Sequence, residues 1–467
     1  MLELKCEISK RRRKRYQNAI SYLPGANHDT VDELRNQSIN DYLSDMAVNS
    51  SFHGINYICD STYKVRRIIW IVVTLTAMLY AMREVYESTR KYLNYPVSTV
   101  RMKIYVDDLE FPAVSLCNLN DVRMSIVNGT SFDNALIDQN AQNISADDAL
   151  MIAREARHNL EDMLLECKFN GRSCSAKNFS EFNWMQGDRC FTINSGKPGH
   201  SRLSVKGTGI KRNLELILNL QHYEYYRDEM ESGIHFILHS QEETPVRMRG
   251  PIVSPGFTTY FRINKIKTKN LKYPYKTRCG SLNLKFFKGY SKQLCWLDQL
   301  TDYVNSKCGC KDFFMPGNIS ICTFSTAFGC MWPAWEEFEK KKISNCPLPC
   351  DADTYFGQTV SRALFPSNEY KKSFIKNLMH IQQFRDVYGN KKKELQFMRD
   401  NLLRIVLYYD DLSYELLEQK PSYDLLSWLG DIGGQIGLFV GSSAMSYFEF
   451  LDCLIMIIYA KYFKQYK

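Results

Sequence analysis

Three carboxylates, Asp431, Glu449 and Asp452, interrupt an apolar stretch that runs from Leu425 to Tyr459. A carboxylate inside a membrane-crossing segment faces a watery pathway, because hydrocarbon does not solvate its charge. The chemistry on offer is therefore the attraction of cations. The same stretch carries glycines at 430, 433, 434, 437 and 441, and those at 433, 437 and 441 share one helical face. Such a face allows either close helix approach or local unwinding.

A second set of residues is oxidative. Twelve of the fifteen cysteines fall between Cys117 and Cys350, a dense, even set that points to disulfides in an oxidising compartment. The spacings at Cys308/Cys310 and Cys346/Cys350 would also suit zinc. Glycosylation sequons at Asn128, Asn143, Asn178 and Asn318 lie in the same region and favour disulfides, so neither metal nor cofactor is expected. No nucleophile elbow, phosphate loop or His-Glu-x-x-His motif occurs, and the eight histidines are scattered, so an enzyme has little to rest on. The net charge of +9 is spread along the chain apart from the run Lys10 to Arg15. That run reads as a cytosolic flank or a contact with anionic lipid, and no nucleic-acid partner is expected.

Membrane-crossing elements must hold the carboxylates. Ile68 to Met82 is uninterrupted apolar sequence plus Thr, and extended from Val65 to Tyr86 it reaches the ~20 residues that cross a bilayer. Lys64, Arg66 and Arg67 at its start place the N-terminus in the cytosol by the positive-inside tendency. No apolar signal-peptide core precedes it. Leu425 to Tyr459 as one straight helix would be about 50 Å long against a hydrocarbon core of about 30 Å. It must tilt, project from the membrane or break. The expected organisation is a cytosolic region over 1–64, a first span over 65–86, an extracellular domain over 87–424, a second span over 425–459 and a short cytosolic tail over 460–467. Both termini are then cytosolic.

With 45% hydrophobic and 24% charged residues among 467, the chain has the material for a sizeable core. Ala146 to Cys167 reads helical, and Pro366 to Leu403 contains further helical segments. Leu214 to Leu220, Ile234 to His239 and Thr258 to Ile263 read as strands.

Several stretches, in this order, resemble the degenerin/epithelial sodium channel family, whose members include acid-sensing and insect pickpocket-type subunits. Ser51-Phe52-His53-Gly54-Ile55 is similar to the family's His-Gly gating motif. Tyr95-Pro96 and Phe111-Pro112-Ala113-Val114-Ser115-Leu116-Cys117-Asn118 resemble its post-span signature. Cys308-Gly309-Cys310 with Met315-Pro316-Gly317 resembles its thumb region, and Leu429 to Phe439 followed by Gly441-Ser442-Ser443 its pore helix and Gly-x-Ser filter.

The resemblance implies an α+β membrane protein in which two transmembrane helices flank a large disulfide-rich extracellular domain, assembled as a homo- or heterotrimer with family subunits in the plasma membrane. It implies a sodium-selective, amiloride-sensitive cation channel whose permeant ion is Na+, opened by an extracellular ligand or another stimulus that the sequence does not identify. The alternative is a modulatory or ligand-binding subunit that conducts only with other family members. Gly441, Ser442 and Ser443 would form the filter, His53, Gly54 and Gly430 the gate, and Gly437 the blocker site. Asp431, Glu449 and Asp452 would be pore carboxylates. The implied bridges are Cys117–Cys190, Cys167–Cys174, Cys279–Cys350, Cys295–Cys346, Cys308–Cys330 and Cys310–Cys322, with Cys6, Cys59 and Cys453 left as thiols. Acid-sensing members carry one more thumb disulfide, at positions held here by Gln299 and Ser344. At the wrist, a tryptophan of other members is replaced by Tyr275 as the nearest aromatic.

Overall fold

The computed structural model describes residues 52–59, 63–120, 122–130, 133, 155–183, 189–197, 199, 202–211, 213–226, 231–241, 243–245, 250–369 and 372–465. Cys6, Lys10 to Arg15, Ser51 and Asn143 lie outside them. The chain divides into two compact units, one from Val97 to Lys420 and one made of the flanking segments.

The larger unit is α+β. Its main sheet of eight strands runs in the order β1 (Val97–Tyr105), β15 (Ser413–Pro421), β12 (Phe257–Lys269), β14 (Leu402–Tyr408), β9 (Asn213–Asn219), β4 (Leu164–Phe169) and β5 (Arg172–Ser173), with β13 (Asp351–Leu364) also paired to β12. A second sheet runs β11 (Ile252–Val253), β10 (Ile234–His239), β3 (Ala113–Asn118), β7 (Arg189–Ile193) and β6 (Phe179–Asn183), and β2 (Leu109–Glu110) pairs with β8 (Ser204–Val205). Alternation makes these strands: Leu214, Leu216 and Leu218 face Leu407, Ile405 and Leu403 across the antiparallel β9–β14 pair. All six are fully buried, and each contributes about 1.5 to 3 kcal/mol of apolar burial. Phe111, Phe236, Phe261 and Tyr409 fill the same core.

A separate core surrounds helix α3 (Lys292–Cys308), where Leu297, Leu300 and Val304 pack with Phe314, Met331 and Phe338, the last from α4 (Trp332–Lys340). Ser291 caps α3 by accepting the Leu294 N–H, and Gly309 ends it at φ 69°, a backbone region open to glycine without steric cost. Cys308 and Cys310 flank that turn, so Gly309 aims their side chains at two different partners.

Among the described residues six bridges form: Cys117–Cys190, Cys167–Cys174, Cys279–Cys350, Cys295–Cys346, Cys308–Cys330 and Cys310–Cys322. Cys453 lies outside any disulfide. Gln299 accepts the N–H of Asn345, the residue after Ser344, at 3.0 Å. Non-reducing peptide mapping of the folded protein is expected to recover these six pairs; a free thiol at Cys308, Cys310, Cys322 or Cys330 would break the assignment. Each bridge restricts the unfolded chain by about 2 to 4 kcal/mol.

Leu214 to Leu220, Ile234 to His239 and Thr258 to Ile263 lie on β9, β10 and β12 as their patterns suggest. The helix expected up to Cys167 is corrected: in its described part, 155–167, helix is confined to Glu155 and Leu160–Met163, and Leu164–Phe169 is strand β4. Cys167 pairs with Leu216 in register, so sheet formation with β9 overrides the three- and four-residue spacing of the leucines and methionines.

Burial also sets an acid sensitivity. His239 is enclosed in the second sheet, its Nδ1–H donating to the Ser240 carbonyl and its Nε2 accepting from Ser115 Oγ at 2.8 Å. Burial pushes its pKa down from 6.5 to about 4. The unfolded chain takes up a proton that the folded unit refuses, so stability is complete above pH 6.5 and falls as pH drops toward 4. About 3 kcal/mol is at stake over that interval. Thermal unfolding measured across it should show Tm falling with pH, with a shallower fall for His239→Gln; identical pH slopes in both proteins would remove His239 as the cause.

Candidate functional site

The smaller unit contains α1 (Ile55–Cys59), α2 (Lys64–Leu93), α6 (Leu425–Val440) and α7 (Ala444–Gln465). By length and apolar composition α2 is long enough to cross a membrane, and α6 with Met445–Ile455 makes a second candidate if the pair, bent by 68°, is one broken span. At about 1.5 Å per residue, α2 extends well beyond its apolar run, because Arg83 to Lys91 continue as helix.

Helices α2 and α6 pack antiparallel. Tyr80 meets Phe439 at 4.8 Å between ring centroids, and Tyr92 stacks on Trp428 at 5.2 Å. Gln435 Nε2 donates to Ser88 Oγ at 2.8 Å, and Trp428 Nε1 to Thr89 Oγ1 at 3.2 Å. At their ends, the Ser422 N–H donates to the Pro96 carbonyl at 3.0 Å. Sequence reasoning passed over Ser88, Thr89, Trp428 and Gln435. The available signal was a few polar side chains on otherwise apolar helices, which in lipid seek one another.

The break between α6 and α7 falls on three residues, Gly441, Ser442 and Ser443. Asp424 opens α6 by capping the Ser427 N–H at 2.8 Å. Gly441 closes it at φ 72° with its N–H on the Gly437 carbonyl. Ser443 and Ser446 then start α7 reciprocally: the Ser443 N–H donates to Ser446 Oγ at 3.0 Å and the Ser446 N–H to the Ser443 carbonyl at 2.9 Å. The backbone between the helices is left with carbonyls outside any helical ladder, which is tolerated at membrane depth only in protein or beside water.

His53 docks on that break. Its N–H donates to the Val440 carbonyl at 2.8 Å, satisfying an orphan acceptor of the helix C-terminus. A Cβ on Gly441 would meet His53 Cδ2 at 2.5 Å and Cγ at 2.6 Å, so only glycine admits the imidazole. Gly54, buried at φ 86°, has no room for a Cβ because Thr74 Oγ1 occupies the space. The turn is held from α1, where Tyr57 stacks on Trp70 at 4.4 Å.

The carboxylates are spread along the same helices. Asp431 accepts from the Tyr423 hydroxyl at 2.6 Å, while Glu449 and Asp452 are exposed on α7. Gly430 and Gly437 leave α6 free of side-chain bulk on the chain itself; around Gly430 nothing lies within 4 Å of an added Cβ. Of the sequons, Asn128, Asn178 and Asn318 are exposed.

Residues 46–453 match the family model for the amiloride-sensitive sodium channel. The chain is 28% identical to the bile acid-sensitive ion channel of Rattus norvegicus, over 89% of this chain and 88% of that protein. It is 30% identical to acid-sensing ion channel 1B of Danio rerio, over 87% of this chain and 76% of that one, and 29% identical to acid-sensing ion channel 2 of Homo sapiens, over 89% and 86%. The class so defined is that of an ion channel and not an enzyme. The chain belongs to the amiloride-sensitive sodium channel family.

Proposed function

We propose that this chain is one subunit of a trimeric, sodium-selective, amiloride-blocked cation channel of the plasma membrane, with both termini cytosolic and residues 87–424 outside. The observation that supports it most is the docking of His53 against Gly441 at the break in the second apolar helix. Three copies of the break, around one axis, place Gly441, Ser442 and Ser443 where carbonyls and hydroxyls replace part of the hydration shell of a sodium ion. Asp431, Glu449 and Asp452 raise the local cation concentration. His53 and Gly54 brace the filter from the cytosolic side and couple it to gating, and Gly437 marks the blocker site. Asn128, Asn143, Asn178 and Asn318 carry glycans on the extracellular domain; at Asn178 the Oδ1 accepts the Ser175 N–H and leaves Nδ2 for the sugar.

The test is current recording from cells that express the chain alone and with other family subunits, under acid, peptide, small-molecule, osmotic and mechanical stimuli. Amiloride-blocked inward sodium current whose permeability ratio changes with Ser443→Cys is the expected result. If the chain reaches the surface in every combination and no filter substitution alters any current, it is a non-conducting modulatory subunit instead.

A further inference from the structure

From Thr244 to Leu297 the chain contains no aspartate or glutamate, while lysine and arginine recur throughout. The acid-free stretch culminates in the loop that leaves β12, Lys269-Asn270-Leu271-Lys272-Tyr273-Pro274-Tyr275-Lys276-Thr277-Arg278. Lys269, Lys272, Lys276 and Arg278 are all exposed. Among the described residues none of the four forms an ion pair, although Lys269 has Asp351 and Glu418 as its neighbours in strand register; Lys272, Lys276 and Arg278 have no such neighbour in the strands. Some exposed cations elsewhere in the unit are paired, as in Arg101–Glu415, Lys103–Asp411 and Lys391–Glu369, and others such as Lys206, Lys288 and Lys392 stand apart from one another; what sets this loop off is four cations within ten residues. Between the free cations stands Tyr273, 77% exposed, an aromatic with an apolar body and a polar tip.

The loop is held in one shape. The Leu271 N–H and the Thr277 hydroxyl both donate to Gln419 Oε1, at 3.1 and 2.8 Å. Asn270 N–H donates to the Cys350 carbonyl at 2.7 Å, the Cys279 N–H to the Leu271 carbonyl at 3.2 Å, and Cys279–Cys350 closes the base. Lys269 lies beside Glu418 in the parallel β12–β15 register. The bonded Gln419 is thus six residues from Leu425, where α6 begins, a tether of about 20 Å at full extension.

We propose that the loop from Lys269 to Arg278 docks on the phosphate layer of the outer leaflet, its cations on lipid phosphates and the Tyr273 ring at the headgroup boundary. This rests on the reading that α6 opens a span and that residues 87–424 are extracellular. Long basic side chains reach headgroup phosphates while their stems lie along apolar surface, and aromatic rings with a polar tip gather at that depth. A sulfated polysaccharide would satisfy the charges. It gives no reason for the exposed tyrosine among them, nor for a position so close along the chain to the span.

The experiment labels lysine amines in the full-length protein with an amine-reactive reagent and reads each site by mass spectrometry. It compares nanodiscs of phosphatidylcholine with phosphatidylserine against maltoside micelles, with exposed Lys392 and Lys393 as references. Labelling of Lys272 and Lys276 should fall about fivefold at each site in nanodiscs and return at high salt, with the references unchanged. Tyr273→Ser should weaken the protection without disturbing the references. Equal labelling in nanodiscs and micelles overturns the proposal, as does protection in micelles by inorganic phosphate or by heparin that lipid does not match. Hydrogen exchange over α6 separates the two readings: a protected α6 with unprotected lysines sinks the loop alone, whereas an α6 that exchanges freely in nanodiscs sinks the span.

Discussion

Gly441→Ala is expected to abolish sodium-selective current while leaving the protein at the cell surface. Two costs fall on one site. The residue sits at φ 72°, where a side chain costs about 1 to 3 kcal/mol. The new Cβ would also stand 2.5 Å from His53 Cδ2, so the imidazole must leave the break or the break must open. Neither change touches the bridges or cores of the larger unit, and assembly should survive. Surface labelling combined with current recording checks this. The double variant Gly441→Ala/His53→Ala separates the two costs, because removing the ring relieves the overlap and leaves the backbone strain. Recovery of part of the current in the double variant is expected; if the two substitutions act independently, the His53 contact is not what Gly441 serves.

Gly430→Phe is expected to give sustained inward sodium current without stimulus. Within one chain nothing lies within 4 Å of a Cβ at Gly430, so the added ring meets no obstacle in its own subunit. Any overlap comes from neighbouring copies of α6. Such overlap costs about 1 to 3 kcal/mol where packing is tight. If widening the pore relieves it, the penalty falls on the closed state, and the open population rises about tenfold for every 1.4 kcal/mol. Bulk that merely disrupted helix packing would lower surface trimers and current together. A variant that reaches the surface as a trimer and stays silent at rest would exclude Gly430 from the gate.

Much of the element pattern is written locally. The alternation of Leu214, Leu216 and Leu218 announces a strand with one buried face. Local pattern fails at Leu160 to Cys167, where helical spacing is real for one turn and the chain then joins β9. Pairing with a distant strand supplies backbone hydrogen bonds that no local window reveals.

The basic loop from Lys269 to Arg278 shows the converse. Its charges are plain in the sequence, but their lack of partners is a statement about surroundings. A lysine's nearest carboxylate depends on which strands adjoin, and only the register of β12 with β15 and the bonds to Gln419 settle that.

Composition and order along the chain by themselves determined an oxidised region, two apolar segments and a glycine-rich stretch with carboxylates in it, because these follow from residue chemistry and local periodicity. The sequence also determined that a helix through Leu425 to Tyr459 would be too long for a bilayer. Only the tertiary structure decided that it breaks at Gly441 to Ser443 and that His53 seals the break. The reason is physical: a left-handed glycine ends a helix only if something takes up the freed carbonyls and the space beside it. Here that is a backbone N–H and an imidazole from nearly four hundred residues away, a proximity that packing creates and no spacing rule encodes.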